Sequence, residues 1–165
     1  MATHDETAAT TQKWPDLAGR LEEVGGGRRH VLPVRVYFED TDFSGLVYHA
    51  SYIRWCERGR SDFLRLIGND HKRLIEGAER EPAAFVVRKL TIDYLKPARI
   101  DDVLEVTTRV KERGAATLTL DQRVSKLVDG RSIELVQAEV MVVLVSQAGR
   151  VLRLSKFLTS ALDNG

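Results

Sequence analysis

The feature that most limits how this chain can fold is one long amphipathic segment, Ala50 to Ile67, with no second segment of its kind. Tyr52, Trp55, Cys56, Gly59, Phe63, Leu66 and Ile67 recur there at the i, i+3/i+4, i+7 spacing of one buried helical stripe. Arg54, Arg58, Asp62 and Arg65 fall on the other side, with Arg58 and Asp62 at i, i+4. Gly68 can end the helix. Gly59, in mid-stripe, costs roughly 1 kcal/mol of helix propensity relative to alanine. Close packing against a sheet would explain its place.

The rest of the chain reads as the sheet that such a helix needs. Val34 to Phe38, rich in β-branched and aromatic residues, predicts a strand before the helix. His71 to Pro82 is a charged connection with room for one helical turn. Four strand-like stretches follow, at about Ala84–Leu95, Val103–Lys111, Ala116–Lys126 and Ile133–Val145. Leu104, Val106, Thr108 and Val110 alternate with polar neighbours in the second. Leu118, Leu120 and Val124 share a face of the third, and Val136, Ala138, Val140, Val142 and Leu144 share one of the fourth. Turn chemistry separates them at Pro97-Ala98, Arg113-Gly114, Asp129-Gly130 and Ala148-Gly149. Val151 to Leu154 reads as a last short strand and Phe157 to Leu162 as a terminal helical turn. One helix among consecutive strands with short connections implies an α+β fold, an antiparallel sheet wrapped around a central helix. The apolar fourth strand points to oligomerisation, because a monomer rarely leaves a large apolar surface in water.

The N-terminal region reads differently. Residues 1–30 form a flexible extension, small and polar at first. Trp14-Pro15-Asp16 can open a short helix, with Leu17, Leu21 and Val24 on one face and Gly25-Gly26-Gly27 as its stop. The folded domain is expected over 31–165. Met1 to Gln12 lacks the apolar core of a secretory signal, and no apolar run approaches the roughly 20 residues that span a bilayer. The single cysteine, Cys56, permits no intrachain disulfide. These features predict a soluble, cytoplasmic protein without membrane insertion. Lys and Arg number 25 against 24 Asp and Glu, a balance that argues against a nucleic-acid partner.

The densest set of reactive residues is Glu39 to His49, between the first strand and the helix. Glu39, Asp40 and Asp42 crowd three carboxylates into four positions, so mutual repulsion is expected to disfavour full ionisation. Gly45 permits a tight turn. His49 stands where backbone N–H groups are unpaired and the helix dipole is positive, a place to hold an oxyanion. The residues alone leave three readings open: a catalytic carboxylate, a helix cap, or a metal site from Asp40, Asp42 and His49. Cys56 reads as core, and His4, His30 and His71 as solvated.

Val34-Arg35-Val36-Tyr37-Phe38-Glu39-Asp40-Thr41-Asp42, then Gly45-Leu46-Val47-Tyr48-His49-Ala50-Ser51-Tyr52 and Glu57-Arg58-Gly59-Arg60, resembles the 4-hydroxybenzoyl-CoA thioesterase family. The likeness is closest to its bacterial YbgC-like branch, often encoded with the Tol–Pal system. Tyr94-Leu95-Lys96-Pro97-Ala98, Asp101-Asp102 and Val106-Thr107 extend it, so that it runs from about Val34 to Leu154. The resemblance implies a hotdog fold, hydrolysis of acyl-CoA substrates and a homotetramer built as a dimer of dimers. It implies that Asp42 is the catalytic carboxylate, nucleophile or general base, that the His49 amide binds the oxyanion, and that the His49 side chain assists. Gly45, Tyr48, Lys89 and Lys96 are the expected substrate-binding residues, with Arg99 also near enough in sequence to meet CoA phosphates. No cofactor or metal is expected, since a thiolate already leaves readily. An acyl carrier protein as the acyl donor, or a non-catalytic scaffold of envelope biogenesis, are the alternatives. Phe43-Ser44 stands where the family has smaller pairs, and Gly59 where alanine is frequent.

Overall fold

A computed structural model of the chain describes residues 19–154, apart from 26, 69–70 and 78–80. Six strands form one sheet: β1 (Arg20–Val24), β2 (Gly27–Arg35), β3 (Ala83–Tyr94), β4 (Val103–Arg113), β5 (Thr117–Val128) and β6 (Arg131–Ser146). Their order is β1-β2-β4-β5-β6-β3, and every pairing is antiparallel. The helix α1 (His49–Leu66) crosses one face, and a short α2 (His71–Glu76) follows it. The architecture is the α+β hotdog arrangement, with α1 as the helix the sheet wraps. No described helix is long and apolar enough to cross a membrane.

The helical stripe is the core. Toward its N-terminus Tyr52, Trp55 and Cys56 pack on Leu104, Val106, Val124 and Val136. Toward its C-terminus Phe63, Leu64 and Ile67 pack on Leu118, Leu120, Val140 and Leu144. Leu66, expected in the stripe, is only partly covered, and Leu64 is buried instead. Between the two clusters the helix meets polar atoms. Buried Gln122 of β5 donates to the Cys56 carbonyl (2.9 Å) and to the Thr108 hydroxyl (2.8 Å), and accepts from Arg60 (2.9 Å). Gly59 sits over this bridge. A Cβ there would lie 3.1 Å from Thr108 Oγ1 and 3.2 Å from Val106 Cγ1, so the glycine lets helix and sheet approach closely.

The N-terminal reading needs correction. Leu21 and Val24 lie in β1, not on a helix, while Trp14 to Leu17 fall outside the described residues. Gly25, with φ +60°, lies in the turn of a β1–β2 hairpin and Gly27 begins β2, so these two residues do not end a helix. Leu21 covers the C-terminal cluster, and Glu22 pairs with Arg20 on its own strand and with Arg29 across the hairpin (both 2.8 Å). The sheet therefore begins within the stretch assigned to the extension. Strand β2 ends at Arg35, short of the expected Phe38, because Val36 turns to exchange backbone bonds with Asp101 and Asp102. The expected short strand after Gly149 is reduced to one bridge, Val145 to Val151, and Phe157 to Leu162 lie outside the described residues.

His30 is fully buried, not solvated, and sits 2.7 Å from Asp62, a residue expected on the solvated side of α1. The Gly19 amide (2.6 Å) and Arg65 (3.2 Å) complete the carboxylate's surroundings. Burial pushes the His30 pKa below its ordinary value, against the pull of Asp62. Burial also raises the Asp62 carboxyl, but donation from His30, Gly19 and Arg65 outweighs it and leaves the group lowered. A neutral imidazole donating through Nε2 to an ionised Asp62 fits both directions.

The apolar face of β6 is covered by α1, so it does not supply an oligomer surface as expected. The sheet's other face is charged. Arg109 pairs with Asp121 (2.9 Å), Arg123 with Asp121 (3.0 Å) and Glu134, and Lys111 with Glu139. Exposed apolar side chains instead line edge strand β3 and its end: Val86, Val87, Leu90, Tyr94 and Leu95.

Candidate active site

The segment from Tyr37 to Tyr48 is built by its own hydrogen bonds. Phe38–Asp40 form one 3-10 turn, capped by the Asp40 carboxylate, which accepts the Tyr37 N–H at 2.9 Å. The Asp40 carbonyl accepts the Tyr48 N–H (2.8 Å) and the Ser51 hydroxyl (3.2 Å), tying the turn to the start of α1. A miniature hairpin follows, with Thr41 bridged to Val47. Its tip is a β-turn in which the Gly45 N–H bonds the Asp42 carbonyl at 3.0 Å. Gly45 has φ +74°, so the residue expected to permit the turn does so. Leu46 bridges to Arg99 and the Val47 N–H bonds the Ala98 carbonyl (3.0 Å), fixing the hairpin against the segment after β3.

This scaffold presents Asp42. Its Oδ1 accepts the Ser44 hydroxyl at 2.5 Å and the Ser44 N–H at 2.8 Å. Those two donors, hydroxyl first, hold the carboxyl below its usual range, and His49 adds to the effect. The repulsion expected to disfavour ionisation does not act on Asp42, whose carboxyl is lowered, while the Asp40 carboxylate is taken up by the Tyr37 N–H of its own turn. The same turn separates Asp40 from any ligand set with Asp42 and His49. Among the described residues no three His, Cys, Asp or Glu side chains gather as metal donors. Asp42 Oδ2 receives no hydrogen bond from the described residues and is exposed.

Asp42, Ser44, Leu46, Val47, His49, Tyr52, Tyr94, Leu95, Lys96 and Pro97 line a cleft of about 390 Å3. His49 is the first residue of α1, and Tyr48 its N-cap. No described residue accepts the backbone N–H of His49 or of Ala50, as expected of a helix start. The cleft thus sets the Asp42 carboxylate and His49, the first residue of the helix, on one opening, with the Ala50 amide next in the chain. Behind them the Tyr94 hydroxyl donates to the His49 carbonyl (3.1 Å), and the Tyr52 hydroxyl accepts the Ala98 N–H (2.9 Å).

Of the residues expected to bind substrate, Lys96 lines the cleft and Gly45 shapes its hairpin. Tyr48 is exposed beside it, its ring edge-on to His49 with centres 4.4 Å apart. Lys89 stands five positions before Tyr94 on β3, hence on the opposite sheet face, and is not part of the cleft wall. Cys56 is buried, with its thiol pushed up to about 11 by burial, as suits a core residue. The sequence names Ser44 and Tyr94 only within the resemblance and gives neither a role in the site. Ser44 had a usable signal, a hydroxyl two positions after an aspartate in a turn. Tyr94 had none, because its partner lies 45 positions away.

A family model for the thioesterase superfamily matches residues 44–133. The chain is 44% identical over 113 residues to "Acyl-CoA thioester hydrolase YbgC" from Escherichia coli O6:H1, covering 68% of this chain and 79% of that one. A probable thioesterase from Bartonella henselae superposes with a TM-score of 0.70 at 41% identity, over 76% of this chain and 98% of that chain. A crystal structure of 4-hydroxybenzoyl CoA thioesterase superposes at 0.72 with 19% identity, over 79% and 99%, a likeness of fold. The fold and these matches agree: the chain belongs to the thioesterase superfamily.

Proposed function

We propose that this thioesterase hydrolyses acyl-CoA to the free acid and CoA, with Asp42 as its catalytic carboxylate. The observation that carries the reading is the free Oδ2 of an ionised Asp42 beside the unpaired N–H groups that start α1. With the thioester carbonyl carbon in the cleft, the carboxylate either takes a proton from an attacking water or attacks the carbon itself. In either course the carbonyl oxygen gains negative charge, which the His49 amide, aided by the helix dipole, would stabilise. Collapse of the tetrahedral species breaks the C–S bond and releases thiolate. In the nucleophilic course, water then cleaves the acyl–Asp42 anhydride. The His49 imidazole orients the water or the carboxylate, or gives the departing sulfur its proton.

The CoA portion would extend past Lys96 and Arg99, whose cations suit its phosphates. The 44% identity to an acyl-CoA thioester hydrolase supports CoA over a carrier protein as the acyl bearer. Two copies joined along β3 would cover its exposed Val86, Val87 and Leu90 and pair the open edge, giving the dimer from which a homotetramer is assembled. A reduced Cys56 and an acyl-CoA substrate suit a cytoplasmic location. The test is free-thiol release from a panel of acyl-CoAs of varied chain length and aromaticity. Turnover of at least one is expected; release no faster than without protein across the panel would refute the reading.

A further inference from the structure

Tyr94 closes β3, and its ring projects from the same sheet face as Ile92, toward the start of α1. The end of β3 is pinned from behind, because the Leu95 and Lys96 amides both bond the Leu135 carbonyl, at 2.8 and 3.1 Å. The ring is held from two sides. Its centre lies 5.9 Å from that of Tyr52 and 6.3 Å from that of His49, the latter nearly perpendicular at 89°. Tyr52 is itself fixed by the Ala98 N–H. The hydroxyl is therefore a donor on a rigid arm, and it donates to the His49 carbonyl at 3.1 Å.

That carbonyl shares its peptide plane with the Ala50 N–H. Fixing the oxygen fixes the direction of the amide on the opposite side of the plane. The Ala50 and His49 N–H groups are the two helix-start donors without a partner among the described residues. Frayed first turns are the weakest part of a helix, and here the N-cap Tyr48 makes no side-chain capping bond. The Asp40 carbonyl holds this turn from one side through Tyr48 and Ser51, and the Tyr94 hydroxyl holds it from the other at the His49 carbonyl.

We infer that Tyr94 is a positioning residue for the reaction: its hydroxyl anchors His49 at its carbonyl, so that the first turn of α1, with His49 on the cleft, keeps its place against the thioester oxygen. The inference rests on the oxyanion-binding role proposed above for that helix start. Tyr94 moves no proton and forms no covalent bond in this role. Its contribution appears where charge has developed on the oxygen, in kcat, and little in ground-state binding.

Tyr94→Phe removes only the hydroxyl. With the best acyl-CoA, kcat is expected to fall about tenfold, below the roughly 10²–10³-fold scale of deleting an oxyanion donor outright. KM is expected to stay within about twofold, since a change confined to the transition state lowers kcat alone. The amide resonance of Ala50, which shares a peptide with the released carbonyl, should shift in the nitrogen–proton NMR spectrum while those of β5 hold still. Tyr94→Phe with wild-type kcat overturns the inference, as does a rise in KM with kcat unchanged. An unmoved Ala50 resonance overturns it too. Asp42→Asn, assayed in parallel, separates the two levels. If it abolishes turnover while Tyr94→Phe is fully active, only the Tyr94 role fails; if it is itself fully active, the proposed site fails.

Discussion

Replacing Gln122 with leucine should destabilise the fold by about 2 kcal/mol, and adding Thr108→Val should recover part of the loss. The side chain makes three hydrogen bonds at 2.8 to 2.9 Å where the two halves of the core meet. At roughly 1 kcal/mol net for each bond, their removal costs about 3 kcal/mol. Extra apolar surface on leucine offsets roughly 1 kcal/mol of this. About a third of the lost bonding falls on Thr108, whose buried hydroxyl loses its Gln122 donor. Valine at 108 alone should cost about 1 kcal/mol, because it strands a Gln122 N–H. In the Gln122→Leu background the same change should stabilise by about 1 kcal/mol, because both polar partners are then gone. For a chain of this size each kcal/mol moves Tm by roughly 2–4 °C, so Gln122→Leu should melt about 4–8 °C lower. The assay is a double-mutant cycle by calorimetry at one protein concentration, since association would make Tm concentration-dependent. A Thr108→Val effect of the same sign and size in both backgrounds would refute the bridge.

Three further outcomes are expected. Ser44→Ala deletes the hydroxyl that does most to hold Asp42 below its usual range. Asp42 must be ionised to act, so activity is lost as pH falls through its pKa, and this variant should move the acid limb of the kcat/KM profile to higher pH; an unmoved limb contradicts the assignment. Burial lowers the His30 pKa, so the unfolded state takes up a proton first as pH falls below its ordinary value of about 6.5. Stability linked to His30 is therefore full above that pH and is lost below it, and His30→Phe should flatten the Tm decline between about pH 7 and pH 5.5; parallel curves for the two proteins would exclude this linkage. Leu90→Lys places a charge on the exposed β3 edge. It should shift light-scattering mass toward the monomer, and an unchanged mass would move the interface elsewhere.

The sequence showed most where one residue's surroundings are set by its near neighbours. The α1 stripe and the alternation in β4 to β6 are of this kind, since each element has one face to bury and a period that reveals it. Their bounds agree with the structure to within a few residues. What was lost depends on partners far along the chain. The glycines after Val24 read as a helix stop, because the β2 partner that makes Leu21 and Val24 a strand is not visible locally. His30 looked solvated beside two arginines, but it is buried by Asp62 and Phe63 on α1. Strand order is likewise invisible locally: β3 leaves the middle of the sequence to become an edge, taking the exposed apolar surface with it. Asp42 and His49 were named through a resemblance. Their residue types alone left capping, catalysis and a metal site open, and only the fold reveals Asp40 capping its own turn and Ser44 donating to Asp42.

The most direct test of Asp42 as the catalytic carboxylate is the rate of thiol release by Asp42→Asn on the best acyl-CoA. Asparagine keeps an oxygen to accept the Ser44 donors, so the hairpin and the melting temperature should hold. It lacks the charge that a base or nucleophile needs, and turnover is expected to fall by at least roughly 10²-fold. An Asp42→Asn protein that releases thiol at the wild-type rate would contradict the account.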